Sequence, residues 1–163
     1  MITFTLIFSF LFESVFSNIV LFNHLLNPFF SIVALSILYP YFNGKKGNFI
    51  IVSIIIGLLY DITLNDSGFV NTICFFFTSY IIILLYELIK YSIYSSNIIS
   101  ILSIIFNRIL SFLILFIIDY ISFDLNILYN AIINSLIANL VYGILLFIIV
   151  KLIANIMSIK VKR

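Results

Sequence analysis

Apolar residues run along this chain in long, nearly unbroken stretches, and short polar clusters divide them at intervals. A helix that crosses a bilayer needs roughly 17–25 largely apolar residues. Six stretches reach or approach that length: 2–22, 28–42, 49–64, 69–90, 98–121 and 128–150. The breaks between them carry turn chemistry. Asn23, His24 and Asn27 precede Pro28, which suits the first turn of a helix. Asn43-Gly44-Lys45-Lys46-Gly47-Asn48 and Asn65-Asp66-Ser67-Gly68 are polar and glycine-containing. A Ser/Tyr-rich connection follows Lys90, and Asp124 and Asn126 separate the last two stretches. The pattern predicts an all-α integral membrane protein, folded as a single six-transmembrane-helix bundle over residues 1–163.

Composition strengthens that expectation. Of 163 residues, 64% are hydrophobic and 9% are charged, against roughly 25% charged in soluble domains. The mean hydropathy is +1.33. A soluble fold of this size has too little interior to hide so much apolar surface, so lipid must be the solvent for most of it. The net charge of +2 comes without a basic block, which argues against nucleic acid as a partner. The first stretch has no basic flank and carries Glu13 at its middle, so it does not read as a cleavable signal peptide.

Charge also predicts orientation. With the N-terminus in the cytoplasm, Lys45, Lys46, Lys90 and the tail of Lys160, Lys162 and Arg163 all fall inside, whereas Asp66, Asp119 and Asp124 fall outside. That distribution follows the positive-inside rule and places both termini in the cytoplasm.

The inventory for catalysis is sparse. A single histidine excludes an HExxH metal site, a single cysteine excludes a CxxC pair, and no GxGxxG, GxxxxGK[ST] or GxSxG motif occurs. The residues therefore indicate neither catalytic groups, nor a metal site, nor a cofactor. His24 reads as an interfacial side chain and Cys74 as core packing. Two charges stand inside apolar stretches: Glu13 in the first and Arg108 in the fifth. Each costs roughly 2.5–3.5 kcal/mol at the centre of a membrane helix, so each is a candidate functional residue. Counted from the expected helix starts, both lie ~15–17 Å from the inner face at 1.5 Å per residue. Equal depth makes an ion pair between them feasible.

Small and hydroxyl residues recur at helical spacing. Ser9, Glu13 and Ser17 form one stripe; Ser100, Ser103, Asn107 and Ser111 form another. The last stretch carries Asn130, Asn134 and Ala138, and also Ser135, Asn139 and Gly143. Stripes of this kind mark close helix–helix contact in lipid. In the third stretch Ser53, Gly57 and Asp61 share a face. Gly57 permits close backbone approach, and Gly68 suits the positive φ of a tight reversal.

The segment Gly57-Leu58-Leu59-Tyr60-Asp61, followed by a polar turn to Gly68 and the helix opening Phe69-Val70-Asn71, resembles the central Gly-Leu-x-x-Asp segment and glycine turn of the MreD family. An acidic residue in the first helix (Glu13), Pro28 opening the second, and a length near 160 are similar to that family too. The resemblance implies a non-enzymatic subunit of the cell-wall elongation (rod) complex in the bacterial cytoplasmic membrane. It implies binding to an MreC-like single-span protein and, through it, links to MreB-like filaments and peptidoglycan synthases. It also implies a helical core like that of the substrate-binding S-components of energy-coupling-factor transporters. An S-component for a vitamin or metal is the alternative function. Such subunits often dock through alanines spaced four apart on the first helix, and residues 2–22 contain none. Glu13, Gly57, Asp61, Gly68 and Arg108 are the candidate structural or interaction residues.

Overall fold

The computed structural model describes residues 1–18, 28–63 and 68–158. The end of the first apolar stretch, the Asn23–Asn27 turn with His24, the Asn65–Ser67 turn with Asp66, and Lys160, Lys162 and Arg163 lie outside the described residues, as does the side chain of Ser17. Among the described residues the chain is all-helical: α1 (Ile2–Asn18), α2 (Phe30–Leu38) continued by a 3-10 turn (Tyr39–Phe42), α3 (Lys46–Thr63), α4 (Val70–Leu88), α5 (Ile93–Ile117) and α6 (Leu125–Ile156).

Several helix ends differ from those the apolar pattern predicts, each for a local reason. Pro28 stands outside α2, whose cap is Phe29. The end of α2 tightens into a 3-10 turn where Pro40 lacks the N–H that an α-helix would bond to the Ser36 carbonyl. Asn43 and Gly44, both at positive φ, then reverse the chain. The Ser/Tyr-rich segment after Lys90 is largely helix rather than connection. Ser92 caps α5, accepting from the Ser95 backbone N–H while Ser95 Oγ accepts from the Ser92 N–H, which starts the helix five residues before Ile98. Asp124 caps α6 by accepting from the Asn126 N–H at 2.8 Å. The helix continues past Lys151 to Ile156, because a long lysine side chain can extend toward the membrane surface without ending a helix. With 32 residues α6 measures about 48 Å, more than the ~30 Å hydrocarbon layer.

The bundle is built around α2, in which all nine residues are buried. Its neighbours are α1, α5 and α6, while α3 packs on α4, α4 on α5, and α5 on α6. Ile32, Val33, Ile37 and Leu38 of α2 meet Ile82, Ile99, Ile104 and Val150 in the core. The outer surface inverts the soluble pattern: Phe4, Ile51, Ile62, Leu84, Ile98, Ile137 and Leu145 are all exposed. Four helices, α3 to α6, are long and apolar enough to cross a membrane; α1 and the segment Phe30–Phe42 are shorter apolar helices. The chain is a multi-pass helical membrane protein.

In such an interior every polar group needs a partner. Hydroxyls within the stripes find theirs in their own helix: Ser9 donates to Thr5 O, Ser36 to Ile32 O, Ser53 to Phe49 O, Thr78 to Cys74 O and Ser100 to Ser96 O. Bonded in this way, Ser36, Ser53 and Ser100 present little more than a small side chain to the neighbouring helix.

Candidate functional site

A short helix that begins inside a protein leaves its first N–H groups without intrahelical acceptors. Helix α2 begins in this way, and side chains from two other helices supply the acceptors. Asn139 of α6 accepts from the Phe29 N–H at 2.8 Å. Glu13 of α1 accepts through Oε2 from the Ser31 N–H at 3.0 Å and the Ser31 hydroxyl at 3.2 Å. The Tyr60 hydroxyl of α3 donates to Ser31 Oγ at 3.0 Å and lies against the same carboxylate. Glu13 is 2% exposed, so it is a buried acid whose position is fixed by the positive end of a helix dipole.

Arg108 reaches the same helix start. Its guanidinium carbon is 4.1 Å from the centroid of the Phe29 ring, in a cation–π contact. The Glu13 and Arg108 charges attract one another electrostatically near this helix end. The structure thus brings the two charges singled out in the sequence together at the start of α2. Around them Ser9 Oγ and Tyr142 OH share a hydrogen bond of 2.7 Å, and the Tyr142 ring lies tilted against that of Phe30 with centroids 4.2 Å apart. Deeper in the bundle, Asn107 donates to Thr78 Oγ1 at 3.0 Å and so ties α5 to α4.

The second constellation joins α3 to α4. A Cβ added at Gly57 would stand 2.7 Å from Thr72 Cα and 2.9 Å from the Asn71 carbonyl oxygen, so the helices touch backbone to backbone there. One turn later Asp61 receives four hydrogen bonds from the opening of α4. Asn71 N and Nδ2 donate to Oδ1, each at 2.9 Å; Thr72 N at 2.8 Å and Thr72 Oγ1 at 2.6 Å donate to Oδ2. Gly68, at φ +73°, turns the chain into α4 with open space around it. Gly57, Asp61 and Gly68 therefore act together as a clasp between consecutive helices. Glu13 and Asp61 play the same part at the α1–α2 and α3–α4 junctions, each carboxylate holding the N-terminus of the helix that follows its own.

Charge is segregated along the bundle. Lys45, Lys46, Glu87, Lys90 and Lys151 lie at the end where α3 and α5 start; Asp61, Asp119 and Asp124 lie at the other. At the lysine end Lys46 and Glu87 form an exposed ion pair between α3 and α4. Tyrosines gather just inside it: Tyr91 OH donates to Tyr41 OH at 3.2 Å, Tyr86 OH donates to Ser96 Oγ at 3.0 Å, and Tyr39 stacks on Tyr86. Burial, reinforced by Tyr41, pushes the Tyr91 phenol well above its usual range.

Chemically, these centres can hold helix ends and fix charges; among the described residues no three His, Cys, Asp or Glu side chains converge as a metal site. Ser31, Tyr60, Tyr142, Asn71 and Thr72 complete the two constellations and were not singled out in the sequence. For Asn71 and Thr72 a signal existed, since polar residues opening an apolar helix are the donors a nearby carboxylate can use. Tyr60 sits inside the Gly57–Asp61 segment but reads there as one more apolar residue. Comparison with protein-family models, with characterised proteins and with solved structures finds no match to this chain.

Proposed function

We propose that this protein is an MreD-like, non-enzymatic subunit of the rod complex in the bacterial cytoplasmic membrane, with its lysine-rich end in the cytoplasm. It binds an MreC-like single-span protein and through it supports peptidoglycan synthesis during elongation. The observation that carries the reading is the Gly57–Asp61 clasp. The segment in which the chain resembles MreD is the one that fastens α3 to α4, so a family sharing it would share the helix arrangement as well. The polar interior supports the reading too, because Glu13, Asn139 and Asp61 are engaged at helix ends. An S-component-like arrangement of the six helices belongs to the same proposal.

The test is purification in mild detergent together with a candidate single-span partner carrying an extracytoplasmic coiled coil. Stoichiometric co-elution is expected. Saturable binding of a vitamin or metal ion by the isolated protein, without such a partner, would overturn the proposal in favour of an S-component.

A further inference from the structure

Tyr80 lies at the middle of α4, ten residues after Val70 and eight before Leu88. It is thus about 15 Å from the start of the helix and 12 Å from its end. Its side chain is 46% exposed on the outer surface, and its hydroxyl makes no hydrogen bond among the described residues. A tyrosine side chain is too short to reach either membrane interface from that depth, and tyrosines favour those interfaces. The outward residues in the middle turns of the other long helices, such as Ile55, Ile109 and Ile137, are aliphatic. A phenol facing hydrocarbon without an acceptor is costly. Its ring is also held in place, edge-on to Phe76 at 5.1 Å, and Phe76 in turn meets Phe77 at 5.2 Å. Ile73, Phe77, Tyr80 and Leu84 are exposed at spacings of four, three and four residues, so they share one outward face of α4.

From this geometry we infer that the outward face of α4 is the contact between two copies of this chain, paired about a two-fold axis that passes beside Tyr80. Copies inserted by one charge asymmetry share one orientation, so the axis of a closed dimer runs along the membrane normal. A residue beside that axis meets its own equivalent at equal depth. Tyrosine is self-complementary in such a position, because a phenol both donates and accepts. Each Tyr80 hydroxyl supplies what the other lacks, and the Phe77 and Leu84 side chains pack above and below. The inference does not depend on the partner named above.

Single cysteines placed in a Cys74→Ser background test it in native membranes and in nanodiscs. Oxidative crosslinking is expected to give a homodimer for Tyr80→Cys, Phe77→Cys and Leu84→Cys, and none for Ile55→Cys or Ile137→Cys on other outward faces. Tyr80→Phe keeps the ring and removes only the hydroxyl. It should weaken the dimer about three- to tenfold in a dilution series followed by light scattering, in line with one interhelical hydrogen bond in lipid, while circular dichroism stays unchanged. Crosslinking at Ile55 or Ile137 as strong as at Tyr80 would overturn the inference. So would a monomer at every concentration, or crosslinking of Tyr80→Cys to a different protein in place of a second copy.

Discussion

Glu13 illustrates what a single side chain does in an interior without water. Its carboxylate holds the Ser31 N–H and hydroxyl at the start of α2, and it is attracted to Arg108 near that start. These two roles separate on substitution. Glu13→Gln keeps an acceptor for Ser31 and removes the charge; Glu13→Ala removes both. Loss of one partner from a buried charge pair costs on the order of 3–5 kcal/mol, and an unsatisfied buried donor adds about 1–3 kcal/mol. Thermal or proteolytic unfolding is therefore expected to rank wild type above Glu13→Gln and Glu13→Gln above Glu13→Ala. Arg108→Gln should recover part of the loss in Glu13→Gln, with a non-zero coupling in the double-mutant cycle. Equal effects of Gln and Ala would contradict the role as a helix cap. The sequence revealed Glu13 and Arg108 because a charge in an apolar stretch is conspicuous. It did not reveal their surroundings, since Ser31, Tyr60 and Asn139 come from three other helices and look like ordinary packing residues.

At the scale of elements, the clasp between α3 and α4 makes the sharpest claim. Gly57→Ala forces a Cβ against the Thr72 backbone, which cannot swing aside as a flexible side chain could. Overpacking of this kind costs about 1–3 kcal/mol. Asp61→Asn places an amide NH2 where the carboxylate now accepts, and it should lose about 1–3 kcal/mol with no change in side-chain size. Both variants should lower the unfolding temperature of the isolated protein in detergent. If either one left stability untouched and reduced only partner binding, that face would meet the partner rather than α4. Of the elements themselves, the four long helices α3 to α6 were legible because a membrane helix must be apolar along its whole length, whereas α1 and α2 are shorter apolar helices. Their ends were less so. Ser92 and Ser95 look like a polar loop until their reciprocal cap is seen, and Pro40 ends α2 within a stretch whose hydropathy runs straight through it.

For the whole molecule, the separation of lysines from aspartates predicts one orientation in the membrane, and labelling tests it. Cysteines introduced at Lys46 and at Tyr120, each in a Cys74→Ser background, should react from opposite sides of the membrane. In intact spheroplasts an impermeant thiol reagent is expected to label Tyr120→Cys, with Lys46→Cys reacting only after permeabilisation. Equal labelling of the two in intact cells would contradict an arrangement in which α3, α4 and α5 each cross the bilayer. The proposed function belongs to the same scale and rests on a resemblance in sequence. The residues that carry the resemblance, Gly57 and Asp61, join α3 to α4. The most direct measurement is cell shape during depletion: the protein is removed from a growing rod-shaped host, and cell width is followed by microscopy as the existing copies are diluted. Rounding of the cells, reversed by re-expression of the wild-type chain, is the expected result. Rods that persist through depletion, with growth rescued by an added vitamin or metal, would contradict the account.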